Sequence, residues 1–495
     1  MRLEQLLSNS DVKVWQHPAS SRDLMSLDID NVTLDSRKCK AKTLFVAAKG
    51  ATSSSKDGNA FIDEALKRRA SAVITDTPVE SKAPILICDN ARRLVAQCAE
   101  ALAGFPSHKL QIFGVTGTNG KTSVTFFLAS ILKSAGFKSA VVGTLGIGDI
   151  DALNYTGFTT PEAETISSAL LDLQKQRISH VAMEVSSHAL ALHRCDGILF
   201  AAAAFTNLSE DHLDFHVDMA SYRMAKERLF LELLAPSAPC VIPLGDPLAE
   251  QLYARGQTVL TFGRSPQADI AIEGAQTLRG GTQVSLRLRD QVRTIDLPVF
   301  GDFNLDNVMA AAGLALAKGV SSDAIFRALH SIRLPPGRLE PIYAQERGDK
   351  PLVFVDFAHT PDALEKVLVT TRAFTKGKLR LVFGCGGDRD RLKRPMMGNA
   401  AARLADEVWV TNDNPRHEDE RQIFDDILSG VEPFMHEKFK IIPDRVKAIT
   451  EAIGYAQLDD TILIAGKGHE TTQQIGDEYI PFSDESIAKL ALEVW

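Results

Sequence analysis

A chain of 495 residues, 45% apolar and 24% charged, has the make-up of a soluble globular protein of two to four domains, not of a fibrous or disordered one. A net charge of −8 argues against a broad nucleic-acid-binding face, and no apolar run reaches the ~18–20 residues that cross a bilayer. Six scattered cysteines (39, 88, 98, 195, 240 and 385) with no Cys-x-x-Cys pair point to reduced, buried thiols in a cytoplasmic protein, and the start Met1 to Gln5 has no signal-peptide core.

Over roughly the first 100 residues, short strands (Thr43 to Ala48, Ala72 to Thr75, Ile85 to Cys88) alternate with helical stretches, an α/β pattern. Phe105-Pro106-Ser107-His108 reads as a linker in which the proline stops the preceding helix. The apolar run Leu110 to Val115 then leads into Gly117-Thr118-Asn119-Gly120-Lys121-Thr122-Ser123 and a helix through Phe126, Leu128 and Leu132. Strand, glycine turn, Lys-Thr and helix are the parts of a phosphate cradle. The glycines admit backbone N–H groups to the anion, Lys121 reaches the terminal phosphates and Thr122 ligates magnesium. Val115 stands where the usual motif has its first glycine, so a plain glycine turn is the competing reading.

Further along, His180 to Val185 predicts a strand carrying Glu184 near its end, placed to hold magnesium beside the loop, or else simply to cap a turn. Gly197 to Phe205 reads as a buried strand, and His212 after it is a candidate to complete the metal shell. Tyr222, Lys226, Leu229, Phe230 and Leu233 share one helical face. A lysine in such a stripe snorkels, pairs with an acid or is chemically altered. Val259 to Phe300, with Val284, Leu286 and Leu288 alternating after Gly280-Gly281, reads as a β-hairpin element, and Leu334-Pro335-Pro336-Gly337 as a second linker.

The last 150 or so residues show four apolar runs that each end in a polar or glycine-rich motif. These are Asp356-Phe357-Ala358-His359, Gly384 to Arg389, Asp413-Asn414-Pro415-Arg416 and Gly466-Lys467-Gly468-His469-Glu470. In a parallel sheet such ends share one edge, so the four are expected to build one composite site. The alternative is that some are turns with Asp or Asn as helix caps.

Together, Gly117 to Thr122, Glu184-Val185-Ser186-Ser187-His188, Asn207-Leu208-Ser209 with Asp211 to Asp214, and Asp356 to Pro361 closely resemble the Mur ligases, which build the peptide stem of bacterial cell wall. The Asp413 to Arg416 run looks like the signature of the diaminopimelate-adding branch. The resemblance covers essentially the whole chain. It implies an α/β protein of three domains: a UDP-substrate-binding one over 1–105, a central P-loop one with a parallel sheet over 106–336, and a Rossmann-like amino-acid-binding one over 337–495.

By position, the resemblance implies that Gly117 to Ser123, Asn304, Arg338 and Asp356 bind ATP, and that Leu34, Ser36, Thr159, Thr160, Ser186, Leu192 and Arg194 bind the UDP-linked substrate. Lys121, Glu184, His212 and Lys226 would be catalytic, with magnesium served by Thr122, Glu184 and His212 and with Lys226 carbamylated (N6-carboxylysine). Arg389, Asp413, Asn414, Pro415, Arg416, Gly466 and Glu470 would hold diaminopimelate. The chain departs from the family pattern at Leu192, where some relatives have glutamine, at Phe158, at Pro243 to Asp246, and in a longer Gly50 to Asp57 loop whose uridine contacts stay unassigned.

The implied reaction is ATP-dependent ligation of meso-diaminopimelate to the D-glutamate of UDP-N-acetylmuramoyl-L-alanyl-D-glutamate through an acyl phosphate. The C-terminal domain is expected to close over the site to exclude water, and the enzyme to act as a cytoplasmic monomer without nucleic-acid partners. A lysine-adding Mur ligase and a folylpolyglutamate synthetase-like ligase are the nearer alternatives, and a nucleotide-hydrolysing switch the more distant one.

Overall fold

Short runs of β-branched and other apolar residues, bounded by turn residues, become the strands of three main sheets, with helices packed on them. The computed structural model describes residues 1–16, 24–50, 56–79, 85–343 and 349–495. Most of the Gly50 to Asp57 loop, at 51–55, lies outside the described residues.

The first sheet runs in the order Val14–Gln16, Leu86–Cys88, Ala72–Thr75, Thr43–Ala47, Asn31–Thr33, parallel except where Val14–Gln16 meets Leu86–Cys88. Helix Ala91–Leu102 packs on it through Leu94, Val95 and Cys98, and Asn90 caps it by accepting the Arg93 N–H. The helix ends before the expected proline. Gly104 takes φ +77°, and the Gly104 and Phe105 N–H groups bond back to Ala101 and Glu100 carbonyls, a glycine-closed terminus. Pro106–His108 is a packed 3-10 turn rather than a loose linker. Ser107 is buried, its N–H on Glu100 Oε1 (2.8 Å) and its Oγ accepting the Leu199 N–H (3.1 Å).

The second sheet has eleven strands. Its parallel heart places Gln111–Thr116 between His180–Glu184 and Ala202–Phe205. Only Ala202–Phe205 of the expected Gly197 to Phe205 run is strand, because Gly197 abuts the Ala96 carbonyl and Ile198 turns back on Cys195. The expected hairpin element is larger than one hairpin. Val259–Gly263, Ile270–Leu278, Gly281–Leu288 and Gln291–Leu297 are four neighbouring strands, and Val284, Leu286 and Leu288 are all buried. Helix Met219–Arg228 passes directly into a π-helical stretch, Leu229–Leu233. That wider turn rotates the buried face, so Leu234 is buried and Leu233 only partly.

The third sheet runs Glu340–Ile342, Leu352–Asp356, Thr461–Ala465, Leu379–Phe383, Glu407–Val410, Phe439–Ile441, parallel from the second strand on. Its strands feed two cores by alternation. Phe354, Leu381, Phe383 and Leu463 pack with Leu364, Leu368, Met397 and Ile423 on one face. Val353, Val355, Val382, Ile462 and Ile464 pack with Ile449, Ile453 and Leu492 on the other. Burial on both faces is why these strands read as continuous apolar runs.

The chain divides into two compact units, Met1–Gly274 with Val284–Ile295 and Asp306–Arg333, and Ala275–Gln283 with Asp296–Leu305 and Leu334–Trp495. The second begins its long segment at Leu334-Pro335-Pro336-Gly337.

Candidate functional sites

In the first unit the strand Gln111–Thr116 ends at Gly117, whose φ is +147°. A Cβ there would lie 1.9 Å from Thr206 Oγ1, so glycine alone lets the loop approach that strand end. Helix Lys121–Ser134 starts directly after Gly120, which aims its first N–H groups and its positive dipole end along the loop. Asn207 holds the loop. Its carbonyl accepts the Thr118 N–H (2.9 Å), its Oδ1 accepts the Asn119 N–H (3.0 Å), and its Nδ2 donates to the Asn119 carbonyl (3.1 Å). Ser209 adds its N–H to Thr118 Oγ1 at 3.0 Å. Asn207 and Ser209 stand in the sequence as motif residues with no assigned task, and the structure supplies the task.

Two lysines converge on this loop. Lys121 Nζ donates to the carbonyls of Gly117 and Thr118, both at 2.9 Å. Lys226 Nζ donates to the same Gly117 carbonyl at 2.8 Å and sits 4.3 Å from the Tyr222 ring. Lys226 is 1% exposed, so it does not snorkel. Burial, reinforced by the Lys121 charge, brings its amine down to about 6. Tyr222 ties this helix to the loop through Thr118 Oγ1 (3.2 Å).

Thr122 Oγ1 donates to Glu184 Oε2 at 3.0 Å. Thr144, which the sequence reading did not single out, gives Glu184 its N–H (2.8 Å, to Oε1) and its hydroxyl (3.2 Å, to Oε2). The Thr144 hydroxyl also meets Thr159 at 3.0 Å. His212 packs edge-on to His188 (4.8 Å between ring centres), with its N–H on Asp211. Among the described residues no group of three or more His, Cys, Asp or Glu is arranged to hold a metal.

Of the residues expected at the UDP-linked substrate, Thr160, Ser186 and Arg194 form one cluster. Thr160 Oγ1 donates to the Glu184 carbonyl (2.9 Å) and accepts the Ser186 N–H (3.0 Å), and Arg194 donates to the Thr160 carbonyl (2.9 Å) and to Glu162. Leu192 ends the short helix that Ser186 caps. Ser36 is bonded to Glu64 (3.0 Å) beside the half-buried Leu34, at the foot of the first sheet.

In the second unit, Asn304 is buried and donates to the Phe300 carbonyl at 3.0 Å. Asp356 accepts the Leu339 and Ala358 N–H groups (2.6 and 2.8 Å), and burial pushes its carboxyl up despite the Arg338 charge. Arg338 lies over the Phe357 ring.

All four strand-end motifs meet around one cavity of about 440 Å³. Phe357, His359 and Thr360 line it from the first, Gly384, Cys385, Gly386 and Arg389 from the second, Asp413, Asn414 and Arg416 from the third, and Gly466 and Glu470 from the fourth. Pro415 is not among the lining residues; its carbonyl backs Gly387. Asp390 and Lys393 line the cavity as well, so it carries two guanidinium groups, one ammonium and three carboxylates. Arg416 donates to the Gly387 carbonyl (2.7 Å) and Gln474 Oε1 (3.2 Å) and makes no ion pair among the described residues. Glu418, its possible partner by sequence, is taken by Arg394 and Arg391, and the Arg394 bond holds that carboxyl down to about 2. Burial raises Asp413 even though Arg445 and Lys467 oppose it.

Several supporting residues went unrecognised. Lys467 was visible inside its motif but had no role. Gln474 carried one signal, its place in a short strand before the Gly476-Asp477 turn; it lies in the hairpin Thr472–Ile475, Glu478–Pro481, and its carbonyl accepts the Arg416 N–H where Arg416 bridges to Ile475.

Comparison with known proteins adds three findings. Residues 115–315 match the Mur ligase middle domain, and residues 337–468 match the Mur ligase glutamate ligase domain. Curated relatives include the UDP-N-acetylmuramoyl-L-alanyl-D-glutamate--2,6-diaminopimelate ligase of Rhizobium meliloti, 40% identical over 95% of both chains. The enzyme of the same name from Geobacillus thermodenitrificans is 39% identical over 100% of this chain and 99% of its own. A solved structure of a ligase of that name is similar at TM-score 0.72 and 32% identity, covering 100% of this chain and 99% of that one. The MurF ligase of Thermotoga maritima, at 18% identity and TM-score 0.56 over 93% and 96% of the two chains, shares the fold.

Proposed function

This chain belongs to the Mur ligase family, and from that premise we propose that it joins meso-2,6-diaminopimelate to the D-glutamate of UDP-N-acetylmuramoyl-L-alanyl-D-glutamate, converting ATP to ADP and phosphate. The reading keeps three domains, 1–105, 106–336 and 337–495, for the UDP substrate, ATP and the amino acid. One observation carries it: a cavity at the carboxyl ends of four parallel strands that offers charges of both signs, Arg389, Lys393 and Arg416 with Asp390, Asp413 and Glu470. Two carboxylates and two amines are what a diamino diacid brings. Lysine would leave one guanidinium unpaired in the cavity, which disfavours it.

ATP binds on the Gly117 to Ser123 loop, with Asn304, Arg338 and Asp356 as further contacts. Lys121 lies along the loop carbonyls, within a side-chain swing of a phosphate there. The glutamate side-chain carboxylate attacks the terminal phosphorus, giving an acyl phosphate and ADP, and the neutral diaminopimelate amine then attacks the acyl carbon and expels phosphate. Both steps gather negative charge, so preorganised cations supply much of the rate. Thr160, Ser186 and Arg194 orient the dipeptide, with Leu34, Ser36, Thr159 and Leu192 towards its nucleotide end.

Magnesium fits the hydroxyl and carboxylate oxygens that Thr122 and Glu184 hold 3.0 Å apart, a hard oxygen donor set. Thr122, Glu184 and His212 would hold it. When bound it supplies charge neutralisation to the phosphates. The Lys226 amine, largely neutral at pH 7, is in the form that adds carbon dioxide, which supports its carbamylation. The resulting anion would place a negative charge beside Lys121.

The test is a coupled assay of phosphate release with ATP, magnesium and the UDP-dipeptide, offered diaminopimelate, lysine or D-alanyl-D-alanine. Release specific to diaminopimelate is expected. Release independent of the amino acid would mark a nucleotide-hydrolysing switch and overturn the reading.

A further inference from the structure

Beneath the amino-acid cavity lies a cation that no step above uses. Lys467 follows the strand Thr461–Ala465 by two residues, and its side chain is wholly buried. Its Nζ donates to Asn414 Oδ1 (3.0 Å) and to Glu470 Oε2 (2.8 Å), with the Phe482 ring 5.8 Å away. Both acceptors line the cavity, whereas Lys467 does not. We propose that Lys467 is a positioning residue that sets the amine-binding side of the cavity, by fixing the orientation of the Asn414 amide and holding Glu470 as an anion. This rests on the amino-acid reading of the cavity.

The argument is one of donors and acceptors. A lysine Nζ only donates, so the group facing it must be an acceptor. The Gln474 N–H reaches the same Asn414 Oδ1 at 2.9 Å, so two donors oblige the amide oxygen to face inward. The amide nitrogen is then turned to Glu470, to which it donates at 2.9 Å. Glu470 Oε2 thus receives both Asn414 and Lys467. Glu470 Oε1 has no hydrogen-bond partner among the described residues, which leaves it to an ammonium in the cavity.

The charge balance points the same way. Arg445 and Asp484, both fully buried, neutralise each other. Lys467 balances Glu470, and Asp413, buried and without an ion pair among the described residues, is an acid that favours a bound cation. Without Lys467 the cavity would carry Asp413 and a partly exposed Glu470 with no counter-charge between them, and their mutual repulsion would favour protonating one of them. The titration of Glu470 agrees: burial alone would raise it, but the Lys467 charge and the bonds from Lys467 and Asn414 bring it below the ordinary range.

The experiment uses the full chain and steady-state kinetics with ATP, UDP-dipeptide and diaminopimelate across pH. Lys467→Met is expected to raise the KM for diaminopimelate about 30-fold, the worth of one charge-assisted hydrogen bond, with kcat within about threefold and the ATP KM unchanged. The acid limb of kcat/KM should move up by about one pH unit, because Glu470 loses its counter-charge. If that variant fails to fold, Lys467→Gln, which keeps a donor for Asn414 and loses the charge, should still move the acid limb. An unmoved acid limb in the folded variant, or equal rises in the KM for diaminopimelate and the KM for ATP, overturns the positioning role. Wild-type protein that turns over without regard to diaminopimelate overturns the amino-acid reading itself, a result distinguishable from the first two.

Discussion

The loop proposed for phosphate in the first unit and the cavity proposed for the amino acid in the second would solve recognition in opposite ways. The loop is a single heptapeptide, Gly117 to Ser123, whose working groups are mostly backbone, and its own Lys121 and the neighbouring Lys226 rest on its carbonyl oxygens. The cavity is assembled from four segments far apart in the chain, and its working groups are charged side chains, Glu470 held by Lys467 and Arg416 by the Gly387 carbonyl and Gln474. A phosphate chain presents the same oxygens whatever the substrate, so backbone geometry suffices for it. An amino acid must be told from its analogues, which takes side chains of both signs in fixed places.

The sharpest way to break this contrast is at the cavity floor. Asp484→Ala should cost about 3–5 kcal/mol of stability, because it leaves the fully buried Arg445 uncompensated beneath the Thr461–Ala465 strand end; denaturant unfolding reads it. A loss under ~1 kcal/mol would mean water reaches Arg445. On the loop side, Lys121→Ala should lower kcat by about 10²–10³-fold while the diaminopimelate KM holds. A parallel rise in that KM would show that the two recognitions are not separate.

Arg416→Ala comes next. It should cost about 2–4 kcal/mol of preference for diaminopimelate over lysine, measured as the ratio of their kcat/KM values. An unchanged ratio removes Arg416 from selectivity. The gentlest test concerns Lys226. Its amine is lowered to about 6, so the neutral form gains as pH rises through that value, where an ordinary lysine would stay charged. Carbon-13 NMR of protein equilibrated with labelled bicarbonate should show the carbamate signal growing between about pH 5 and 7. A signal that appears only above about pH 9 would contradict the burial seen here.

The same contrast explains what could be read in the sequence. Gly117 to Thr122 was legible because a strand, a glycine turn and a helix lie in a row. The four C-terminal motifs were legible as one site because a parallel sheet puts its strand ends on one edge, and Lys226 stood out as a lysine in an apolar stripe. Thr144 and Gln474 gave little signal, since their partners Glu184 and Arg416 lie 40 and 58 residues away. The π-helical turn at Leu229–Leu233 and the glycine closure at Gly104 shifted boundaries that proline and periodicity had suggested. Arg416 was weighed against Glu418 as a local pair, and only the packing of Arg394 and Arg391 removed that option.

The six thiols have a practical consequence. All are free and buried, and burial pushes Cys39 up to about 11 and the other five to about 12, so almost none of their thiolate exists at neutral pH. A maleimide dye should therefore pass over the native chain and couple to a cysteine engineered at an exposed position. With one such handle in each unit, fluorescence energy transfer can follow the protein through its turnover cycle without first stripping it of its natural sulfur.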